Sequence, residues 1–159
     1  MSARILIADD HEVVRQGIRT ILSARPEWEI CGEAVNGQEA IRLAGELRPD
    51  AIIMDITMPV MSGLEATRQL SKDKTSAPVL IFTMHESRSL ADSVRETGAR
   101  GFVFKSRAAR DLIHALEILL SGGSYYGPDG DKASKSGETP NSGISFLRAL
   151  DLVRSLVFG

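Results

Sequence analysis

Five residues of this 159-residue chain have types and positions that could do chemistry together: Asp9, Asp10, Asp55, Thr83 and Lys105. Each follows a short apolar run of β-forming character: RILIA before Asp9 and Asp10, AIIM before Asp55, VLIF before Thr83, and GFVF before Lys105. Three carboxylates brought to one place repel one another, so such a site calls for a cation. Oxygen donors with room for water suit Mg²⁺, and the backbone carbonyl of Thr57 can add a neutral oxygen. Asp55 is then suited to attack phosphorus as a nucleophile and form an acyl phosphate. Positioning and charge neutralisation do most of the work in such a transfer. Lys105 would meet one phosphoryl oxygen as a point charge, and the Thr83 hydroxyl would donate to another. Singly, each residue has a plain explanation. Asp10 could cap a helix, Thr83 is a good strand residue, and an isolated lysine is usually a solvated one. The argument rests on their joint placement at successive strand ends.

The elements that must position them follow from the pattern. Strands are expected at residues 4–8, 29–34, 51–54, 79–82 and 101–104. They alternate with helical spacing over 13–24, 39–47, 64–70, 90–96 and 108–120. Val14, Ile18, Ile21 and Leu22 share one face of the first helix, and Leu112, Leu116, Leu119 and Leu120 one face of the last. Five strands alternating with five helices imply an α/β fold, a parallel sheet covered on both faces. Right-handed crossovers make it doubly wound. In that architecture ligands bind beyond the carboxyl ends of the strands, where the five residues stand.

Composition narrows the class further. The chain carries a formal net charge of -2, with 43% apolar and 25% charged residues, ordinary for a soluble globular protein. No run approaches the roughly 20 apolar residues of a membrane span, and the N-terminal apolar run is too short for a secretory leader. A cytoplasmic location and no membrane partner are expected. The near-neutral charge argues against a dominant nucleic-acid surface. Cys31 is the single cysteine and reads as a small packing residue.

Four stretches, ILIADDHEVVRQGI, DITMPVMSGLEA, TMHE and GFVFKS, together resemble the signature of response-regulator receiver domains. The Asp-Asp-His and Thr-Met-His triplets and the GGSYYGP exit resemble the NarL/FixJ branch of that family. The resemblance covers about residues 3 to 127. It implies a flavodoxin-like five-stranded sheet in the order 2-1-3-4-5. It also implies a sensor histidine kinase as partner, Asp55 as phospho-acceptor, and Mg²⁺ held by Asp9, Asp10, Asp55 and the Thr57 carbonyl. Thr83 and Lys105 would contact the phosphoryl group, and Thr83 and Phe102 would form the conformational switch. Apart from its own phosphorylation and dephosphorylation, such a chain is not an enzyme. Four positions depart from the commoner pattern: Phe102 stands where many relatives have tyrosine, Ser106 where many have proline, Ser62 where many have aspartate, and Met84 where many have a smaller residue. Met84 is expected to narrow the path of attacking water and slow hydrolysis.

Residues 1–123 read as the receiver domain, and 124–143, rich in Gly, Ser and Pro, as a flexible linker. Residues 144–159 read as an amphipathic helix, a remnant of a helix-turn-helix output domain being one option. A docking helix and a segment without fixed structure are the other two. Direct DNA binding by this chain alone is not expected, because a complete motif needs roughly three more helices. A homodimer stays open. Two other functions compete: a phosphorylation-independent interaction module, which the complete acidic set speaks against, and a Mg²⁺-dependent phosphatase. The second lacks the acid that such enzymes place two residues after the nucleophile. His11 and His85 lie near the site without assigned chemistry, and His114 reads as a helix-surface residue.

Overall fold

The computed structural model describes residues 2–73, 77–87 and 89–127. The expected C-terminal helix and all but residues 124–127 of the expected linker lie outside the described residues. The elements run β1 (Ala3–Ala8), α1 (Glu12–Leu22), β2 (Trp28–Ala34), α2 (Gly37–Leu47), β3 (Ala51–Asp55) and α3 (Gly63–Lys72). They continue with β4 (Val79–Thr83), α4 (Leu90–Glu96), β5 (Gly101–Phe104), a 3-10 turn (Lys105–Arg107), α5 (Ala108–Leu120) and β6 (Tyr125–Tyr126). All strands are parallel, in the order β2-β1-β3-β4-β5-β6. The order among the first five is the expected one. The sixth strand is an addition. Gly101 leaves room for it: a Cβ there would lie 1.8 Å from the Tyr125 carbonyl oxygen, so only glycine admits this pairing.

Alternation along the strands builds two cores. Ile5, Ile7, Ile53, Leu80, Phe82 and Val103 pack with the apolar faces of α1 and α5. Leu6, Ala8, Ile52, Met54, Ile81 and Phe102 pack with α2, α3 and α4 on the opposite face. Every residue of β3 and β4 is buried, as a parallel sheet covered on both faces requires. Each fully buried Ile or Leu contributes about 1.5–3 kcal/mol of hydrophobic stabilisation.

The helix starts near the site are fixed by side chains. The Asn36 side chain accepts from the Glu39 amide at 2.8 Å and caps α2, and Ser62 does the same for α3 through Glu65. Ser62 therefore keeps the capping role open to aspartate at that position. The first helix differs from expectation. Its N-cap is His11, not Asp10, and no side chain caps it. Instead the Asp9 carboxylate accepts the His11 amide at 2.9 Å, which turns the chain from β1 into α1 and leaves Asp10 facing the site mouth.

Candidate functional site

Connections from β1 pass to β2 on one side and return past it to β3, so the strand order reverses between β1 and β3. The acidic residues gather at the carboxyl edge of this reversal. Asp9 follows β1, Asp55 is the last residue of β3, Thr83 the last of β4, and Lys105 the first after β5. Asp9, Asp55, Thr83 and Lys105 are all buried, among the few polar side chains that are. Asp10 is exposed.

Lys105 reaches across the sheet. Its Nζ donates to Asp9 Oδ2 at 2.8 Å and stands 3.3 Å from Asp55 Oδ1. The 3-10 turn at Lys105–Arg107 sends the side chain inward over the Phe82 ring, 5.8 Å from its centroid. Three carboxylates thus face one ammonium, and the surplus negative charge shows in Asp55. Burial, reinforced by the neighbouring Asp9 charge, pushes its carboxyl up from 3.8 to about 6, against the pull of Lys105. Carboxylate oxygens of Asp9, Asp10 and Asp55, with a ring nitrogen of His11, lie within 4.8 Å of one another. Hard oxygen donors, excess negative charge and one open, water-facing side fit a divalent cation of the Mg²⁺ class.

Thr83 is sealed in the sheet, and its hydroxyl oxygen accepts the His85 amide at 3.1 Å, leaving its proton for another acceptor. Phe102 is buried with its ring turned toward Phe104 and Tyr126, at centroid distances of 5.4 and 6.3 Å. Thr57 is exposed in the loop two residues beyond Asp55. That loop is closed by the Gly63 amide donating to the Ile56 carbonyl at 2.8 Å. Gly63 is obligatory there, since a Cβ would fall 1.7 Å from the Asp55 carbonyl oxygen. The peptide bonds among the described residues are trans, that at Lys105-Ser106 included.

Two participants were not assigned a role from sequence. Arg15, on the first turn of α1, donates to the Asp9 carbonyl at 2.8 Å and pairs with Glu33 of β2 at 2.9 Å. It thereby fixes the backbone that carries Asp9. His11 Nδ1 lies 3.1 Å from Asp10 Oδ1 and 3.3 Å from Asp9 Oδ1. His114 is exposed on α5 and packs edge-on against Tyr125. A cleft of about 520 Å³ opens at the opposite, amino edge of the sheet, between Trp28 and Arg100. Its position sets it apart from the acidic cluster.

Comparisons with known proteins agree with this fold. A family model described as the response regulator receiver domain matches residues 5–117. The chain is 40% identical over 126 residues to the transcriptional regulatory protein YdfI of Bacillus subtilis (strain 168), covering 79% of this chain and 59% of that protein. It is 38% identical over 125 residues to the transcriptional regulatory protein DegU of Brevibacillus brevis, covering 79% and 53%. The chain thus spans little more than half the length of these relatives. Among solved structures, a two-component response regulator of the LuxR family from Aurantimonas sp. SI85-9A1 superposes with a TM-score of 0.77 at 40% identity. The match covers 81% of this chain and 92% of that one.

Proposed function

Because this chain belongs to the response-regulator receiver family, we propose that it is a phosphorylation switch that takes a phosphoryl group onto Asp55 from a phosphohistidine of a sensor kinase. The observation that carries this reading is the convergence of Asp9, Asp10, Asp55 and Lys105 at the carboxyl edge of the sheet. A carboxylate oxygen of Asp55 forms a bond to phosphorus as the phosphorus–nitrogen bond to the donor imidazole breaks, and the electron pair leaves with that imidazole. Asp9, Asp10, Asp55 and the Thr57 carbonyl would hold Mg²⁺, whose charge offsets that of the carboxylates and phosphoryl oxygens. Lys105 need shift only slightly from Asp9 toward Asp55 to meet a phosphoryl oxygen, and Thr83 has its hydroxyl proton to offer another. Phe102, on the neighbouring strand β5, would repack as Thr83 moves, so that the charge change biases two packings of the α4, β5 and α5 surface.

In this reading the chain turns over no other substrate, works in the cytoplasm and feeds transcription regulation, as the printed names of its relatives suggest. Incubation with acetyl phosphate and Mg²⁺, followed by intact mass measurement, tests it. One added phosphoryl group is expected, lost in Asp55→Asn and lost without the metal. A folded protein that takes up none would favour a phosphorylation-independent interaction module.

A further inference from the structure

The phosphoryl chemistry above leaves one largely buried cation without a part in it. Arg15 stands in the first turn of α1, and its side chain is only 14% exposed. A buried charge is costly unless it is paired and hydrogen-bonded. Its Nε donates to Glu33 Oε1 at 2.9 Å, and its Nη1 donates to the Asp9 carbonyl oxygen at 2.8 Å. The planar guanidinium thus bridges β2 and the turn from β1 into α1. Strand register brings Glu33 within reach. It pairs with Ile7 across the two strands, and Ile7 packs in the core under α1. Arg19, one turn further along α1, shares the same Glu33 oxygen but makes no contact with Asp9.

The carbonyl that Arg15 holds belongs to the peptide joining Asp9 to Asp10, so one guanidinium orients the backbone of both acids. Among the described residues no backbone N–H donates to that carbonyl. The Asp9 carboxylate is already held by the His11 amide and Lys105, and Arg15 supplies the main-chain hold that completes the turn. We infer that Arg15, anchored by Glu33, is a positioning residue that sets the Mg²⁺ affinity of the Asp9–Asp10–Asp55 site. This rests on the reading of that cluster as the cation site. The sign of the effect separates position from charge. Arg15 is itself positive, so acting through charge alone it opposes a bound cation, and its loss would tighten binding. Acting through position, its loss frees the Asp9–Asp10 peptide and weakens binding. Groups that orient metal ligands are typically worth about 10–100-fold in affinity.

Calorimetric titration of the full chain with Mg²⁺ tests this, with Tm in a chelator measured alongside. Arg15→Ala is expected to weaken Mg²⁺ binding about tenfold. Arg15→Lys, which keeps the charge but lacks the planar fork, should weaken it less. Arg19→Ala removes a positive charge on the same glutamate and should not weaken it at all. Glu33→Ala should weaken binding in the wild-type background and cause no further loss in the Arg15→Ala background. Unchanged or tighter Mg²⁺ binding by folded Arg15→Ala would overturn the proposal, even if its Tm fell, since that pattern marks a purely structural arginine. An undiminished Glu33→Ala effect in the absence of Arg15 would overturn the anchoring. If Arg15→Ala fails to fold, Arg15→Lys decides, and wild-type affinity there sinks the idea. A wild-type chain that binds no Mg²⁺ would instead overturn the reading of the cluster as a cation site.

Discussion

The sharpest contrast at the residue scale is between Asp9 and Asp55. Asp9 is locked by Lys105 on one oxygen, the His11 amide on the other and Arg15 on its carbonyl. Among the described residues Asp55 has only the longer contact to Lys105, and its carboxyl is raised to about 6. In the metal-free protein the folded chain therefore holds the Asp55 proton between its ordinary 3.8 and about 6, where the unfolded chain has released it. The folded state binds more protons across that window, so this group's contribution to stability falls as pH rises through it. Asp55→Asn removes the penalty. Its gain in Tm over wild type, in the presence of a chelator, should be larger at pH 7.5 than at pH 4; an equal gain at both would contradict the assignment, and added Mg²⁺ should narrow the gap. Met84, 44% exposed immediately after Thr83, bears on the reverse reaction. Met84→Ala should speed loss of the phosphoryl group severalfold by opening the path to water, measured as the decay of phosphorylated protein by mass. The convergence of Asp9, Asp10, Asp55, Thr83 and Lys105 on one edge could be read from sequence because strand ends convert spacing into proximity. The position of the His11 ring could not, since it depends on a turn set by one carboxylate-to-amide bond.

Element boundaries carry the second layer. Strands and helices were legible because apolar spacing distinguishes a doubly buried run such as AIIM from a one-sided stripe such as that of α5. Their ends shifted by a residue or two. Those shifts matter at β3 and β4, which extend to include Asp55 and Thr83 and so hold both side chains on the sheet itself. The strand β6 was not legible, because two residues have no period and its pairing depends on a glycine elsewhere. Glycine is likewise the pivot at the start of α3. Gly63→Ala would drive a Cβ into the Asp55 carbonyl, and the loop must shift to admit it. A loss of several °C in Tm together with slower phosphorylation is expected. Asn36→Ala, by contrast, removes only the cap of α2 and should cost about 1 kcal/mol in urea denaturation while leaving phosphorylation unchanged.

Across the whole molecule, the sheet separates two cores and gathers the reactive groups on one of its edges, far from the cleft beneath Trp28. The other consequence of this layout concerns β6. A parallel sheet ends in a strand with one unpaired row of amides and carbonyls, and such a row is a template on which another copy can add. Here β5 has its first half covered by Tyr125 and Tyr126. The Tyr126 hydroxyl donates to the Ala99 carbonyl, and Arg95 lies over its ring. Those two tyrosines cover the first half of that row, fastened by one phenol and one guanidinium. Gly101→Val, which bars Tyr125 from the edge, should therefore produce concentration-dependent oligomers by light scattering even where the monomer keeps its helical signal.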